Sequence, residues 1–118
     1  MTHAKTFKRG DLIWMELKPT GTNVQEGRRP GVVVQNAKGN FFSPNLIVIP
    51  LTRTIKRAYP TQVLIDNEPN LDVSTAMADQ IMTISKSQVV GRKGAVSAET
   101  MRKIDAALAV SIGLSLAA

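Results

Sequence analysis

Two short apolar runs, each bounded by turn-forming residues, constrain the fold of this chain most strongly. Residues 31–36 (GVVVQN) and 46–52 (LIVIPLT) are rich in β-branched side chains, and the turn-rich segment 37–45 (AKGNFFSPN) separates them. Runs of this length and composition are typical of buried strands, because a helix usually needs ten or more residues. The chain is therefore expected to place two strands, consecutive in sequence, in its core.

Three more segments predict strands, and the polar segments between them predict loops. The run 76–84 fits a strand or a helix by period, but its Ile/Thr end favours a strand. The first of these loops, residues 19–30, has about ten residues, and a loop of that length inside a compact domain more often has a function than not. The predicted strands are residues 11–18, 61–65 and 76–84, and the predicted loops are residues 19–30, 66–75 and 85–96.

The C-terminal segment changes to a helical period. Ser97 is a suitable N-cap, and Glu99 lies in the first turn, where negative charge suits the helix dipole. An apolar stripe then recurs at three- and four-residue spacing, at Met101, Ile104, Leu108 and Ile112. Beyond Ala106 the helix is apolar nearly all round, so we expect the domain or a second subunit to cover its end.

Several strands followed by one helix predict a mainly β fold with a C-terminal helix, of the α+β class. The expected architecture is a small β-barrel or strongly curved sheet with the helix packed on it. The length of 118 residues predicts one domain, residues 1–118.

Composition narrows the function. The 15 Lys and Arg residues exceed the 9 Asp and Glu residues, giving a net charge of +6 and a pI near 10.1, which favours nucleic acid among possible partners. The chain has no cysteine and its single histidine is His3, which argues against thiolate zinc sites and histidine acid–base pairs. No apolar run reaches the ~18 residues of a membrane span. We therefore expect a soluble, cytoplasmic protein that needs no metal or other cofactor.

Basic and hydroxyl residues cluster at the ends of the two buried runs. Arg28 and Arg29 precede the first run, and Thr52, Arg53, Thr54, Lys56 and Arg57 close or follow the second. If the two strands are neighbours, both clusters meet at one end of the sheet and form a phosphate site, because arginine forks match phosphate oxygens. Charged residues also occupy solvated strand ends in proteins that bind no phosphate, so the pattern alone leaves both interpretations open.

The order of motifs resembles the MazF/PemK family of toxin–antitoxin ribonucleases. The resemblance covers roughly residues 9–114. Its motifs are Arg9-Gly10-Asp11, Arg29-Pro30 before the valines, Gln35-Asn36, Gly39-Asn40, Phe42-Ser43-Pro44, a strand closing on Thr52, "YPTQVLI" (59–65), "ADQIMTIS" (78–85) and "MRKIDAALAVSIGL" (101–114).

The resemblance implies a fold, an activity and partners. The fold is the small curved sheet or barrel of the cell-growth-inhibitor and plasmid-maintenance toxins, which form homodimers. The implied activity is metal-independent cleavage of single-stranded RNA, including mRNA, with Arg29 and Thr52 as catalytic residues. The implied partners are RNA and a separate acidic antitoxin that blocks the RNA groove.

The resemblance also implies a set of RNA-binding residues. The first loop and the segment around Gln80 reach the bases in this family, and glutamine and threonine can read base edges of single-stranded RNA. Two positions depart from the family pattern, Val24 for a loop glutamate and Met82 for an arginine, so the cleaved sequence stays open. The expected RNA-binding residues are Thr22, Gln25, Arg28, Asn36, Asn40, Ser43, Arg53, Lys56, Arg57 and Gln80.

Two alternatives keep the basic surface and change the activity. One is a gyrase-poisoning toxin of the same architecture, whose Trp-Gly-Ile end is absent from this chain. The only tryptophan, Trp14, is expected in the core of the first strand. The other is a non-catalytic nucleic-acid-binding module.

Overall fold

The computed structural model of the chain describes residues 6–22, 24–55 and 59–114. Seven strands and two α-helices are found in these ranges. The strands are β1 (Asp11–Leu17), β2 (Gly27–Val33), β3 (Asn45–Thr52), β4 (Gln62–Ile65), β5 (Ser74–Met77), β6 (Met82–Ser85) and β7 (Val89–Ala95). The helices are α1 (Ala37–Phe42) and α2 (Ala98–Ser111), and short 3-10 helices occupy Ala78–Gln80 and Lys86–Gln88.

The strands form one antiparallel sheet in the order β4-β5-β3-β2-β1-β7, with β6 also paired to β3. β4 and β7 end this path, so the sheet is open and not a closed barrel. The predicted class, a mainly β fold with a C-terminal helix, is confirmed, and of the two expected architectures the open sheet is the one observed. The eight-residue β3 is central, because β6 pairs with its first half and β5 with its end.

Alternation along the strands divides the core into two clusters. Leu12 and Ile13 are adjacent in β1 and belong to different clusters. The cluster of Leu12 includes Ile104 of α2, so the helix covers that face of the sheet. The cluster of Ile13 includes Met15 and lies among β1, β2, β3, β6 and β7.

The helix α2 begins as predicted, and the described part of the chain does not cover its end. The Ser97 side chain caps it by accepting a hydrogen bond from the Thr100 amide at 3.1 Å. Ile104 is fully buried, whereas Ile112, the last member of the predicted stripe, is exposed. The described part of the chain therefore covers the start of the stripe and leaves its end uncovered.

The strand expected at residues 31–36 is shifted: β2 spans Gly27–Val33, so Arg28 and Arg29 lie within the strand and not in the loop expected at residues 19–30. The other main differences from the prediction concern short or polar elements. The segment 85–96 was expected to be turn-like but contains β7, an edge strand with only Val89 buried, so its sequence lacks an apolar pattern. The segment 76–84 was expected to be one strand, but the 3-10 helix Ala78–Gln80 divides it into β5 and β6.

The expected loop after β2 contains α1. Asn36 caps this six-residue helix by accepting from the Gly39 amide at 2.8 Å. A larger residue at position 39 would displace the buried Gln35 side chain, because an added Cβ would lie 2.8 Å from it. A helix this short, with one buried residue, has no readable apolar period.

Glu68 joins the loop before β5 to the start of α2, and its charge state gives a testable prediction. Its carboxylate accepts hydrogen bonds from the Ser97 amide and hydroxyl and, at 2.6 Å, from the Thr100 hydroxyl. Burial alone would raise the pKa of Glu68, but the hydrogen bonds from Thr100 and Ser97 outweigh it and hold the pKa below its ordinary value of 4.5. A lowered pKa means that the stabilisation is present above pH 4.5 and is lost as the pH falls through the folded-state pKa.

We expect Glu68→Gln to lower the free energy of unfolding by about 1 to 2 kcal/mol at neutral pH, since charge-assisted hydrogen bonds are lost. Glu99→Gln, in the exposed first turn of the same helix, is the matched control and should change stability less. Urea unfolding at pH 7 and pH 3 measures both. A difference between wild type and Glu68→Gln that does not shrink at pH 3 would contradict this role of the charge.

Candidate active site

A cleft of about 340 Å³ lies where β2 begins and β3 ends. Gly31 of β2 pairs with Pro50 of β3, and counting two residues along each strand from this pair reaches Arg29 and Thr52. Both residues line the cleft. The expectation that the two basic strand ends meet is therefore fulfilled in this structure.

Arg29 is half-buried and oriented by the loop that precedes it. It lies opposite Met15 across β1 and β2, and its Nε donates to the Glu26 carbonyl at 2.9 Å. Within the described residues its two terminal amino groups make no hydrogen bond or ion pair. These groups form a fork of donors of the kind that fits two phosphate oxygens.

Thr52 is only 5% exposed, and the backbone holds its hydroxyl in place. The Oγ1 accepts from the Thr54 amide at 3.2 Å, and the Thr54 carbonyl accepts from the Thr75 hydroxyl at 3.1 Å. The Thr52 hydroxyl proton can therefore donate to another acceptor while its oxygen stays positioned.

Arg28 and Arg53 line the same cleft but are engaged in exposed ion pairs. Arg28 pairs with Glu16 at 3.1 Å, and Arg53 pairs with Asp72 at 3.7 Å. Exposed pairs of this kind contribute little and exchange readily for other partners. Both arginines can therefore turn to an incoming phosphate at small cost.

The loop between β1 and β2 is organised by Glu26. Its carboxylate accepts from the Thr20 amide at 2.8 Å, the Thr20 hydroxyl at 3.1 Å and the Gly21 amide at 3.3 Å. These hydrogen bonds, with a smaller contribution from the Arg29 charge, lower the pKa of Glu26. The loop that carries Thr22 and Gln25 is thus tied to the residue whose carbonyl holds Arg29.

Three of the residues expected to bind RNA lie together on this loop and beside it. Thr22 is exposed, and its Oγ1 accepts from the Val24 amide. The Gln25 amide donates to the Gln80 side-chain oxygen at 2.8 Å, which joins the loop to the 3-10 helix after β5. The Oε1 of Gln25 is buried and has no hydrogen-bond partner in the described part of the chain.

Asn36, Asn40 and Ser43 lie around α1, beyond the other end of β2, and serve the fold. Asn36 caps α1, and the Ser43 Oγ accepts from the Asn45 amide. Asn40 is 1% exposed, and its amide bonds both to the Gln35 side chain and to the Gln35 carbonyl. The expectation that the Asn40 side chain contacts RNA is therefore corrected, because a buried amide whose oxygen and nitrogen are both hydrogen-bonded presents no surface to a ligand.

Trp14 and Lys93 also line the cleft, although neither was among the expected site residues. Trp14 was expected in the core but is half-buried at the cleft. Lys93 lies on β7, the strand that was expected to be a turn. Lys56 and Arg57 lie outside the described residues.

The described residues contain neither a metal-binding cluster nor a membrane-spanning helix. No three His, Cys, Asp or Glu side chains come together in a group that could hold a metal ion. No described helix has the length and apolar character needed to cross a membrane.

The fold and the cleft define a class of small, mainly antiparallel β proteins with an arginine-bearing cleft at paired strand ends. Comparison with known proteins gives the family. The model of the family described as PemK-like, MazF-like toxins of type II toxin–antitoxin systems matches residues 8–112. The chain belongs to this family.

Three relatives show how similar this chain is to known members of the family in sequence and structure. Endoribonuclease EndoA of Bacillus subtilis (strain 168) is 39% identical over 111 residues, which cover 91% of this chain and 95% of that protein. A solved endoribonuclease from a mycobacterial species has 27% identity and a TM-score of 0.81, covering 96% of this chain and 97% of its own. A mycobacterial endoribonuclease solved in complex with its cognate antitoxin has 29% identity and a TM-score of 0.79, covering 93% and 98% of the two chains.

Proposed function

We propose that this chain is an endoribonuclease toxin that cleaves single-stranded RNA, including mRNA, at short specific sequences without a metal ion, and so inhibits growth. The observation that carries the proposal is the shared cleft of Arg29 and Thr52. The family to which the chain belongs supports the same activity, and so does the 39% sequence identity to an endoribonuclease. We take residues 1–118 to act as one domain.

The chemistry uses a nucleophile that RNA supplies. The 2′-oxygen forms a bond to the neighbouring phosphorus while the bond from phosphorus to the 5′-oxygen breaks. The products carry 2′,3′-cyclic phosphate and 5′-hydroxyl ends. Holding the 2′-oxygen in line with the leaving oxygen supplies much of the reduction in barrier.

Arg29 and Thr52 have separate roles in this scheme. A guanidinium holds its proton firmly, so Arg29 stabilises the negative charge that develops on the phosphate oxygens. Thr52 donates a hydrogen bond from its positioned hydroxyl and orients the phosphate. The hydrogen bond from Arg29 to the Glu26 carbonyl aims the fork before the substrate arrives.

Other residues bind the RNA on either side of the cleaved bond. Thr22, Gln25 and Gln80 are proposed to read bases, because Thr22 is exposed and Gln25 and Gln80 are half-buried at the loop that precedes Arg29. The basic residues proposed to contact the phosphate backbone of the RNA are Arg28, Arg53, Lys56 and Arg57. Asn40 is not proposed to be part of this surface, because its amide is buried. Asn36 is exposed and Ser43 is half-buried, and contact of these two residues with RNA stays a prediction.

The proposal includes partners and a cellular location. The exposed apolar side chains at the end of α2, Val110, Ile112 and Leu114, support a homodimer in which a second copy covers them. The net charge of +6 suits an acidic antitoxin, and a related toxin is known in complex with its antitoxin. The proposed site of action is the cytoplasm, where mRNA is found.

Incubation of the protein with labelled single-stranded RNA in EDTA tests the activity. We expect discrete fragments that depend on RNA sequence. Binding without fragments would contradict the proposal and favour a nucleic-acid-binding module. Trapping of gyrase on DNA, with intact RNA, would favour a gyrase poison of the same fold.

A further inference from the structure

The cleft has a second wall, on β1 and β7, that the proposed reaction does not use. Trp14, the only tryptophan in the chain, lies opposite Pro30 of β2 and Gly91 of β7. The Lys93 ammonium lies over its ring, 4.7 Å from the centroid. Because Gly91 has no side chain, its place beside the indole stays open.

Lys93 contacts an aromatic ring, whereas two of the three arginines that line the cleft form ion pairs with carboxylates. Arg28 and Arg53 each pair with a carboxylate, whereas within the described residues Lys93 has no carboxylate at ion-pair distance. Its contact with the ring is a weak cation–π interaction. An ammonium group has three donors, so Lys93 can bind a phosphate oxygen by moving a short distance.

The position of this pair relative to Arg29 and Thr52 suits an adjacent nucleotide. In the sheet, β1 is the neighbour of β2, and β7 is the neighbour of β1. Neighbouring strands lie about 4.8 Å apart. A diester held between β2 and β3 would leave the next nucleotide of the RNA within reach of Trp14, which lines the same cleft.

We propose that Trp14 and Lys93 form a subsite for the nucleotide that flanks the cleaved bond, with the indole stacking on its base and the ammonium binding its phosphate. The subsite rests on the proposed ribonuclease function and extends it. Stacking on an aromatic ring tolerates every base, so the subsite contributes affinity and leaves base choice to other residues.

RNA fits this wall better than an acidic protein segment does. A nucleotide offers a flat base to the indole and an anion to the ammonium at the same time. An acidic peptide offers only the anion and leaves the exposed part of the indole without a stacking partner.

Trp14 provides its own probe, because as the only tryptophan it dominates the intrinsic fluorescence of the chain. The ligand is a single-stranded DNA copy of the RNA sequence that the wild type cleaves, which lacks the 2′-hydroxyl and stays intact. We expect saturable quenching of Trp14 by this oligonucleotide. The variants are Lys93→Gln, Lys93→Arg and Trp14→Phe, with Lys103→Gln as the matched control, since Lys103 is exposed on α2 and away from the cleft.

Lys93→Gln should weaken binding of the oligonucleotide about tenfold. It should also reduce the slope of log affinity against log salt by about 0.7, the value for one phosphate contact on a single strand. Lys93→Arg should restore most of the affinity. Trp14→Phe, measured by polarisation of a labelled oligonucleotide, should retain most of it because phenylalanine still stacks.

The outcomes separate the subsite from the activity. If the wild type cleaves RNA but Trp14 fluorescence stays constant and Lys93→Gln binds like Lys103→Gln, the subsite is wrong and the ribonuclease stands. If no RNA is cleaved, the proposed function fails and the subsite fails with it. If Trp14 responds to a short polyglutamate peptide and not to the oligonucleotide, the cleft belongs to an acidic protein partner, which also overturns the subsite.

Discussion

Replacement of Arg29 by alanine is expected to reduce the rate of RNA cleavage ~100-fold or more, because one donor to the transition-state charge is removed. The loss should appear in the rate constant for cleavage of bound RNA under single-turnover conditions, since the ground-state phosphate keeps its other contacts. Folding should change little, because within the described residues the Arg29 side chain makes one hydrogen bond, to the Glu26 carbonyl.

Two further variants sharpen this experiment. Arg29→Lys keeps a positive charge but loses the two-point fork, so its rate should lie between those of wild type and Arg29→Ala. Arg102→Ala removes an exposed arginine of α2 that does not line the cleft, and controls for loss of net charge. Cleavage by Arg29→Ala at the wild-type rate would remove Arg29 from the mechanism.

A single 2′-deoxy substitution in the substrate is expected to have the largest effect of all. Placed at the nucleotide whose 2′-oxygen attacks, it removes the nucleophile, so cleavage at that bond should fall to the background rate. The protein contacts that hold the phosphate, from Arg29 and Thr52, are unchanged by this substitution.

The control is the same RNA with the 2′-deoxy substitution at a neighbouring nucleotide, where cleavage should persist. Time courses with both oligonucleotides give the comparison. Cleavage at the bond that follows the 2′-deoxy nucleotide would mean that water or a protein group attacks the phosphorus, which contradicts the proposed chemistry.

The sequence predicted the elements that have a strong apolar pattern. The strands β1 and β3 and the helix α2 were recognised because their buried side chains recur at the period of the structure, and Ser97 marks the start of α2. The edge strand β7 was missed because its glycines and charged residues pair through the backbone and bury almost nothing.

The presence or absence of an apolar pattern also explains which residues of the cleft the sequence pointed to. Arg29 and Thr52 were singled out because basic and hydroxyl residues flank the two apolar runs and because both positions match motifs of the family. Arg29 lies within β2 and Thr52 ends β3, so their catalytic roles stay a prediction on a geometry that brings them to one cleft. Lys93 was missed with its strand. Asn40 was assigned to the RNA surface as part of the Gly39-Asn40 motif of the family, whereas its buried amide is hydrogen-bonded to Gln35. No local pattern reports such a distant or buried partner.

The resemblance to a family supplied what the residue pattern left open. Arginines and threonines at strand ends are compatible with phosphate binding or with simple solvation. The order of motifs selected the first interpretation, and the match of the family over residues 8–112 is consistent with that choice.

Identification of the fragment ends after cleavage in EDTA tests the central claim most directly. If the guanidinium of Arg29 and the hydroxyl of Thr52 assist attack by the RNA's own 2′-oxygen, every upstream fragment will carry a 2′,3′-cyclic phosphate and every downstream fragment a 5′-hydroxyl. Fragments with 3′-hydroxyl and 5′-phosphate ends, or fragments that form only when a divalent metal is restored, would contradict it.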